Sequence, residues 1–296
     1  MFEGSTVALI TPMTGDGEID YGDLKALIEF HIEAGTQALV IAGTTGESAT
    51  LTKKEHVELV TRACELAASR VPIIAGTGSN STAQTLDLSK TVDELPVAGF
   101  LVVTPYYNKP NQDGLYRHFC AVADVIERPV ILYNVPGRTG VDLKVDTVIR
   151  LSRHGNIVAI KEATGEVERV RPLREGCGER FALLSGDDAT AARFMLTGGD
   201  GCISVTANVA PRKMRELCEA ARHGHRDDAL RVDAELAPLH RALFLESNPI
   251  PVKWAMAQMG LAGPGIRLPL VPLASGYHRA VRDAMLAAGV DLGSRR

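Results

Sequence analysis

Eight short apolar runs, most of them followed by a polar stretch of helical period, constrain this chain more than any other feature of it. They are Thr6–Ile10, Ala38–Ala42, Pro72–Ala75, Phe100–Val103, Pro129–Tyr133, Ile157–Ile160, Phe181–Leu184 and Gly201–Val205. Each is rich in Val, Ile, Leu or Ala and bounded by Gly, Pro or Thr, the pattern of parallel strands buried on both faces. Helical periodicity fills the intervals, as in Tyr21–Glu33, Lys53–Ser69 and Ala83–Glu94. Thr52 with Glu55 three residues on forms a capping box, in which each side chain satisfies a free backbone N–H of the first turn. The sixth helix, around Glu166–Arg174, is the weakest because Pro172 interrupts it.

A strand and a helix recurring every ~25–35 residues are what a closed (β/α)8 TIM barrel requires. A doubly wound open sheet is the competing α/β architecture. It calls for a Gly-rich phosphate turn after an early strand, and Gly76-Thr77-Gly78 lacks the third glycine at the needed place. The eighth unit ends near His223. Residues 1–225 therefore read as the catalytic barrel and 226–296 as a C-terminal helical extension packed on it. Within the extension, Asp227–Gly260 and Ala274–Ala288 are helical by period, split by Gly263-Pro264-Gly265 and Pro269–Pro272.

A net charge of −4 with scattered Lys and Arg gives no footprint for nucleic acid and no polybasic membrane patch. No apolar stretch nears the ~18 residues a spanning helix needs, and Glu3 and Asp16 interrupt any secretory signal. The five cysteines are widely spaced and form no CxxC pair, which points to free thiols in a reducing cytoplasm. The eight histidines form no HxxxH or HExxH pattern and are missing from the strand tips, so metal catalysis is not expected.

In a barrel of this kind the chemistry sits at the C-terminal ends of the strands. The polar residues there are Thr11, Thr44, Thr45, Thr77, Thr104, Tyr133, Lys161, Asp187 and Thr206. Of nine lysines only Lys161 ends an apolar strand. An ammonium among apolar side chains is poorly hydrated, which favours the neutral amine that attacks a keto group to form an imine. The competing reading is a structural ion pair with Glu162, but strand alternation sends Glu162 to the opposite face. Tyr133 ends the preceding strand within reach of Lys161, where a phenol can shuttle protons. Gly43-Thr44-Thr45-Gly46-Glu47 offers either a tight turn or an anion-binding nest suited to a carboxylate. Arg138, just beyond Tyr133, is either a surface residue or a bidentate carboxylate ligand.

Together these segments resemble a known family. GTTGES (43–48), TPYYNKP (104–110), YNVPGRTG (133–140), AIKEATG (159–165), SGDD (185–188) and ISVTANVAP (203–211) are similar to the dihydrodipicolinate synthase family of pyruvate-dependent class I aldolases. NPIPVKWA (248–255) and RLPLVPL (267–273) carry the resemblance into the tail. It implies condensation of pyruvate, held as a Schiff base and enamine on Lys161, with L-aspartate 4-semialdehyde, feeding diaminopimelate and lysine synthesis without metal or organic cofactor. It implies Tyr133 as proton donor and acceptor, with Thr45 and Tyr107 continuing the relay and Thr44 beside them. Tyr107 would come from a neighbouring subunit of a homotetramer, a dimer of dimers. Thr45 and Ile203 would hold pyruvate with Gly186 alongside, and Arg138 would bind the semialdehyde's carboxylate. Tyr107 and Ile203 rest on the resemblance alone. Sister families, the N-acetylneuraminate lyases and 2-keto-3-deoxy sugar acid aldolases, share the lysine–tyrosine pair but differ around Gly137–Gly140 and Tyr106-Tyr107. The resemblance also implies an inhibitory lysine site at Ser48, Ala49, His56, Asn80, Gln84 and Tyr106. There Lys53 stands where histidine is common and Gln84 where glutamate would pair with the ligand's ammonium, so feedback is expected to be weak or absent.

Overall fold

The computed structural model describes residues 2–292; the last four residues of the expected extension, 293–296, lie outside the described residues. Eight parallel strands close into a barrel in chain order: β1 (Gly4–Ala8), β2 (Ala38–Ile41), β3 (Ile73–Gly76), β4 (Gly99–Val103), β5 (Val130–Asn134), β6 (Ile157–Glu162), β7 (Ala182–Ser185) and β8 (Gly201–Ser204). The helices between them are α1 (Tyr21–Ala34), α2 (Lys53–Ala67), α3 (Thr82–Asp93), α4 (Gln112–Ala123), the short α5 (Pro136–Thr139), α6 (Val145–Leu151), α7 (Val170–Cys177) and α8 (Ala191–Leu196). After β8 come α9 (Pro211–Arg222), α10 (Arg226–Ala242), α11 (Ile250–Gln258) and α12 (Ser275–Ala287). The Thr52–Glu55 capping box forms at the start of α2.

Three local expectations are corrected. The first strand begins at Gly4 rather than Thr6, because Gly4 pairs with Gly201 to close the barrel. A Cβ on Gly201 would lie 2.4 Å from the Gly4 carbonyl oxygen, so this seam needs glycine. Pro172 does not interrupt the sixth helix: it sits in the first turn of α7, where its missing N–H would have had no intrahelical partner. The stretch Asp227–Gly260 is two helices, α10 and α11, separated by a turn through Ser247-Asn248-Pro249. A residue preceding proline is pushed out of the helical region, and here two prolines stand two residues apart.

Alternation sorts the strand residues into two cores. Outward residues such as Val7, Ile41, Phe100, Val102, Leu132, Ile160 and Leu183 pack against the helices. Inward residues, including Ala8, Val40, Ile74, Leu101, Ile131, Ala159, Leu184 and Ile203, fill the lumen. Burying each Leu, Ile or Val contributes about 1.5–3 kcal/mol. The filled lumen makes a floor, above which only the strand tips are free to carry polar side chains. α10 packs against α9, α8 and α12, and α11 reaches the turn after β8, which brings the tail to the mouth of the barrel. Among the described residues no helix is long and apolar enough to cross a membrane.

Candidate active site

Lys161 and Tyr133 lie two residues beyond the lumen residues Ala159 and Ile131, and therefore point inward at the top of the filled core. They are directly opposed in the β5–β6 register. The Lys161 Nζ stands 4.3 Å from the centre of the Tyr133 ring, and the two residues are only 5% and 7% exposed. No carboxylate pairs with Lys161 among the described residues. Glu162, the expected rival partner, faces the helix layer. It lies 3.2 Å from Arg169 Nε, takes a hydrogen bond from Asn134 Nδ2 at 3.1 Å and another from Thr164 N at 2.9 Å. Burial pushes the Glu162 carboxyl up, opposed chiefly by the Arg169 guanidinium.

Gly186, at the tip of β7, lies against the lysine. A Cβ there would be 2.8 Å from Lys161 Cε and 2.7 Å from Ala163 Cβ, so glycine is what lets the lysine stem lie flat against the wall. Ile203 closes the lumen on the β8 side and is 1% exposed.

The Gly43–Glu47 loop is held under backbone strain. Ala42, just before it, and Glu47, at its end, have φ of +53° and +56°, left-handed values that cost a side chain ~1–2 kcal/mol each. The Glu47 and Ser48 N–H groups close turns onto Thr44 O and Gly43 O, which leaves a narrower nest than the glycine spacing suggests. Three ties hold the loop. Thr11 Oγ1 donates to Gly46 O at 2.7 Å. Glu47 forms a buried ion pair with Lys253 of α11 and accepts from Arg267 N at 3.1 Å. Burial pulls the Lys253 ammonium down, opposed by the Glu47 carboxylate. Finally, Thr45, 2% exposed, accepts a 3.0 Å hydrogen bond from Asn248 Nδ2.

Asn248 also receives Arg138. Arg138 lies on α5, and its Nη2 donates to the Asn248 carbonyl oxygen at 3.0 Å. Asn248, Glu47 and Lys253 were not found as site residues by sequence reasoning. All three lie in segments that carry the family resemblance, GTTGES and NPIPVKWA, but the helical period of the tail obscured the Asn-Pro-Ile-Pro break.

Other strand-tip polar residues are scaffold. Thr77 bonds Ser89 at 2.8 Å, Asp187 accepts from Thr190 at 2.7 Å, and Thr206 bonds His240 at 2.8 Å. Tyr107 does not join the lysine–tyrosine pair within this chain: it projects from the surface, 89% exposed, with φ of +74°.

A cavity of about 520 Å³ opens beside the lysine rather than over it, lined by Thr44, Ser48, Ala49, His56, Gln84, Tyr106 and Arg138 among others. Five of the six residues expected at an inhibitor site thus share one cavity. Asn80 is outside its lining, and its carbonyl accepts from Asn108 Nδ2 at 2.8 Å. Burial pulls the His56 imidazole down to about 4, so it is neutral near pH 7. Lys53 and Asp87, on the same wall, pair at 2.6 Å, and Gln84 Oε1 accepts from Ser79 Oγ at 3.0 Å. Among the described residues no cluster of His, Cys, Asp and Glu is arranged to hold a metal ion.

The Dihydrodipicolinate synthetase family matches residues 1–288. The chain is 54% identical over 294 residues to a 4-hydroxy-tetrahydrodipicolinate synthase of Thioalkalivibrio sulfidiphilus, covering 99% of this chain and 100% of the relative. It is 56% identical over 290 residues to that of Methylococcus capsulatus, covering 98% and 100%. A dihydrodipicolinate synthase from Acinetobacter baumannii, solved in complex with pyruvate, superposes with a TM-score of 0.97 at 50% identity, covering 98% of this chain and all of that one.

Proposed function

The chain belongs to the Dihydrodipicolinate synthetase family, and from that premise we propose how its own residues carry out a condensation of pyruvate with L-aspartate 4-semialdehyde to 4-hydroxy-tetrahydrodipicolinate. It is a lyase of the class I aldolase type. Lys161 Nζ attacks the keto carbon of pyruvate, and Tyr133 gives its phenolic proton to the departing hydroxyl as water leaves. Tyr133, now a phenolate, takes a methyl proton as the imine becomes an enamine, and gives it to the aldehyde oxygen in the next step. The enamine carbon attacks the aldehyde, and the amino group of the adduct then closes on the imine carbon and releases Lys161. Thr45 and Tyr107 return the proton to Tyr133, with Thr44 beside them. Gly186 and Ile203 bound the pyruvate pocket, and Arg138 binds the carboxylate of the aldehyde substrate. The reaction needs no metal or organic cofactor, since the lysine itself supplies the electron sink.

The observation that carries this reading is a buried lysine that has no carboxylate partner among the described residues, laid against a tyrosine ring and given room by a glycine. The test is intact mass after borohydride treatment with pyruvate. A pyruvate-sized adduct in the wild type and none in Lys161→Ala is expected, and an adduct in neither would refute the imine. Turnover of pyruvate with N-acetylmannosamine, and none with the semialdehyde, would refute the acceptor.

A homotetramer built as a dimer of dimers supplies Tyr107 from a neighbouring subunit, a role its exposure and strained backbone support. Residues 226–296 serve as an extension of the catalytic barrel, 1–225, rather than a separate unit. Five free cysteines suit a reducing cytoplasm. The cavity beside the site takes free lysine only weakly. Gln84 brings no charge to the ligand's ammonium, and the Asp87 carboxylate is already held by Lys53. Lysine titrated into the assay leaves the rate nearly unchanged at concentrations comparable to substrate; half-maximal inhibition at low lysine would contradict this.

A further inference from the structure

Among the described residues two lysines are buried, Lys161 and Lys253, and the second has no part in the reaction above. We propose that Lys253 is a positioning residue for pyruvate, an inference that rests on the pyruvate reading above. It acts through Glu47: its ammonium cancels a buried carboxylate in the loop that receives the carboxylate of the substrate.

The pair is long-range and closed to water. Lys253 lies on α11, 206 positions from Glu47, and the two side chains are 3% and 0% exposed. Stability does not account for it, because a buried ion pair can often be exchanged for apolar residues without loss. Nor does the backbone favour a glutamate here. Glu47 holds φ of +56°, a left-handed value that glycine adopts without strain, and strain of this kind clusters where function requires it.

The same loop offers donors to an anion. The N–H groups of Thr44, Thr45 and Gly46 meet no acceptor among the described residues, and Thr45 is the residue read above as holding pyruvate. A carboxylate two positions beyond Thr45 works against an anion there unless a cation cancels it, since charges in a partly dry site are weakly screened. The Arg267 guanidinium is not free to do so. It is held by Glu55 at 2.5 and 3.0 Å and donates to Gly17 O and Thr50 O, so only its backbone N–H reaches Glu47. The two partners are also unequal. Burial pulls the Lys253 ammonium down and Glu47 holds it up, so the ammonium depends on Glu47 for its charge.

The experiment measures KM for pyruvate and kcat in Lys253→Gln, Glu47→Gln and the double variant, each in the full chain. Lys253→Gln keeps a donor for Glu47 and removes the charge. We expect it to raise KM for pyruvate about 10-fold, the scale of one unit charge across a partly buried gap, with kcat within about threefold. Glu47→Gln leaves a lysine that sheds its proton, and KM should stay within about threefold of wild type. In the double variant the second substitution should rescue the first and return KM to that of Glu47→Gln, since the two residues act as a unit. A pair kept for shape alone gives a different pattern: each single variant loosens the loop, and the double is no better than either.

An unchanged KM in Lys253→Gln, a rise of about 10-fold in Glu47→Gln, or a double variant no better than Lys253→Gln would each overturn the proposal. Should Lys253→Gln fail to fold, Glu47→Gln still decides, because it weakens the tether while removing the charge. A wild type without a borohydride adduct of pyruvate sinks the imine reading and this role together. A wild-type adduct with any one of those three outcomes sinks this role alone.

Discussion

The two sides of the barrel wall at the tips of β5 and β6 carry polar residues of similar burial in opposite conditions. On the inside, Tyr133 and Lys161 are buried against each other, and among the described residues no carboxylate pairs with the lysine. On the outside, the adjacent residues Asn134 and Glu162 are buried and fully engaged. Asn134 bonds Glu162, Asp142 and Leu143, while Glu162 meets Arg169 and Thr164. The difference teaches what each side is for. A buried polar group costs about 1–3 kcal/mol if left unsatisfied. The outer layer meets that need with protein partners and becomes rigid, and the lumen mouth leaves it for a substrate to meet. The rigid side holds the reactive side in register.

Breaking the inner side should have the largest effect. Lys161→Ala is expected to lower kcat by about 10³-fold or more, as removal of a covalent nucleophile does, with the melting temperature unchanged or raised. Steady-state turnover beside a thermal melt measures both. A large loss of stability instead would place Lys161 among the structural groups. On the outer side the sign pattern reverses. Glu162→Ala leaves Arg169 paired with Asp142 and Glu166 but takes the acceptor from Asn134 Nδ2 and Thr164 N, and should cost ~1–3 kcal/mol of folding stability, read from urea unfolding. Activity in the remaining folded fraction should fall much less than in the lysine variant. If both variants lose rate equally at full stability, the two sides are not functionally distinct.

A smaller effect sharpens the comparison at the contact between Gly186 and Lys161. Gly186→Ala puts a methyl group within 3 Å of the lysine stem and displaces its amine. Because such misplacement costs on the order of 10²-fold, kcat should drop by about that factor with little change in folding. Wild-type turnover in this variant would show that the stem is free to move aside.

The smallest effect concerns acid. His31 lies in the outer layer, its Nδ1 2.9 Å from Thr36 Oγ1, and burial pulls its pKa down to about 3. The folded state therefore holds fewer protons than the unfolded one, whose imidazole titrates near 6.5. The stability that neutral His31 contributes is complete above pH 6.5 and is lost as pH falls toward 3, by about 1.4 kcal/mol per pH unit. Urea unfolding between pH 6 and pH 5 should show in the wild type the summed slope of His31 and the likewise depressed His56 and His118. His31→Gln should flatten it by that amount, and an unchanged slope would mean His31 is not the titrating group.

Much of this site was legible because its inner side is local. Lys161 ends an apolar run, Tyr133 ends the run before it, and alternation alone assigns Lys161 and Glu162 to opposite faces. Arg138 and the Thr44–Thr45 loop follow their strands directly. What supports them was not legible. Helical periodicity carried the reading straight through the turn that holds Asn248, and nothing in the sequence pairs Glu47 with Lys253, 206 positions away. Pro172 was read as a break because its place in a first turn depends on where the helix begins.

The sequence by itself determined the eight strand–helix units, the side of the wall on which each strand residue falls, and hence which lysine faces the lumen. These follow from periods of two and 3.6 residues and from burial, which are properties of short segments. Only the tertiary structure decided which distant groups lock the mouth: Asn248 on Thr45 and Arg138, Lys253 on Glu47, Gly186 against Lys161. Those contacts depend on barrel closure and on the return of the tail across the mouth. No local pattern records a distance between residues that only the closed fold brings together.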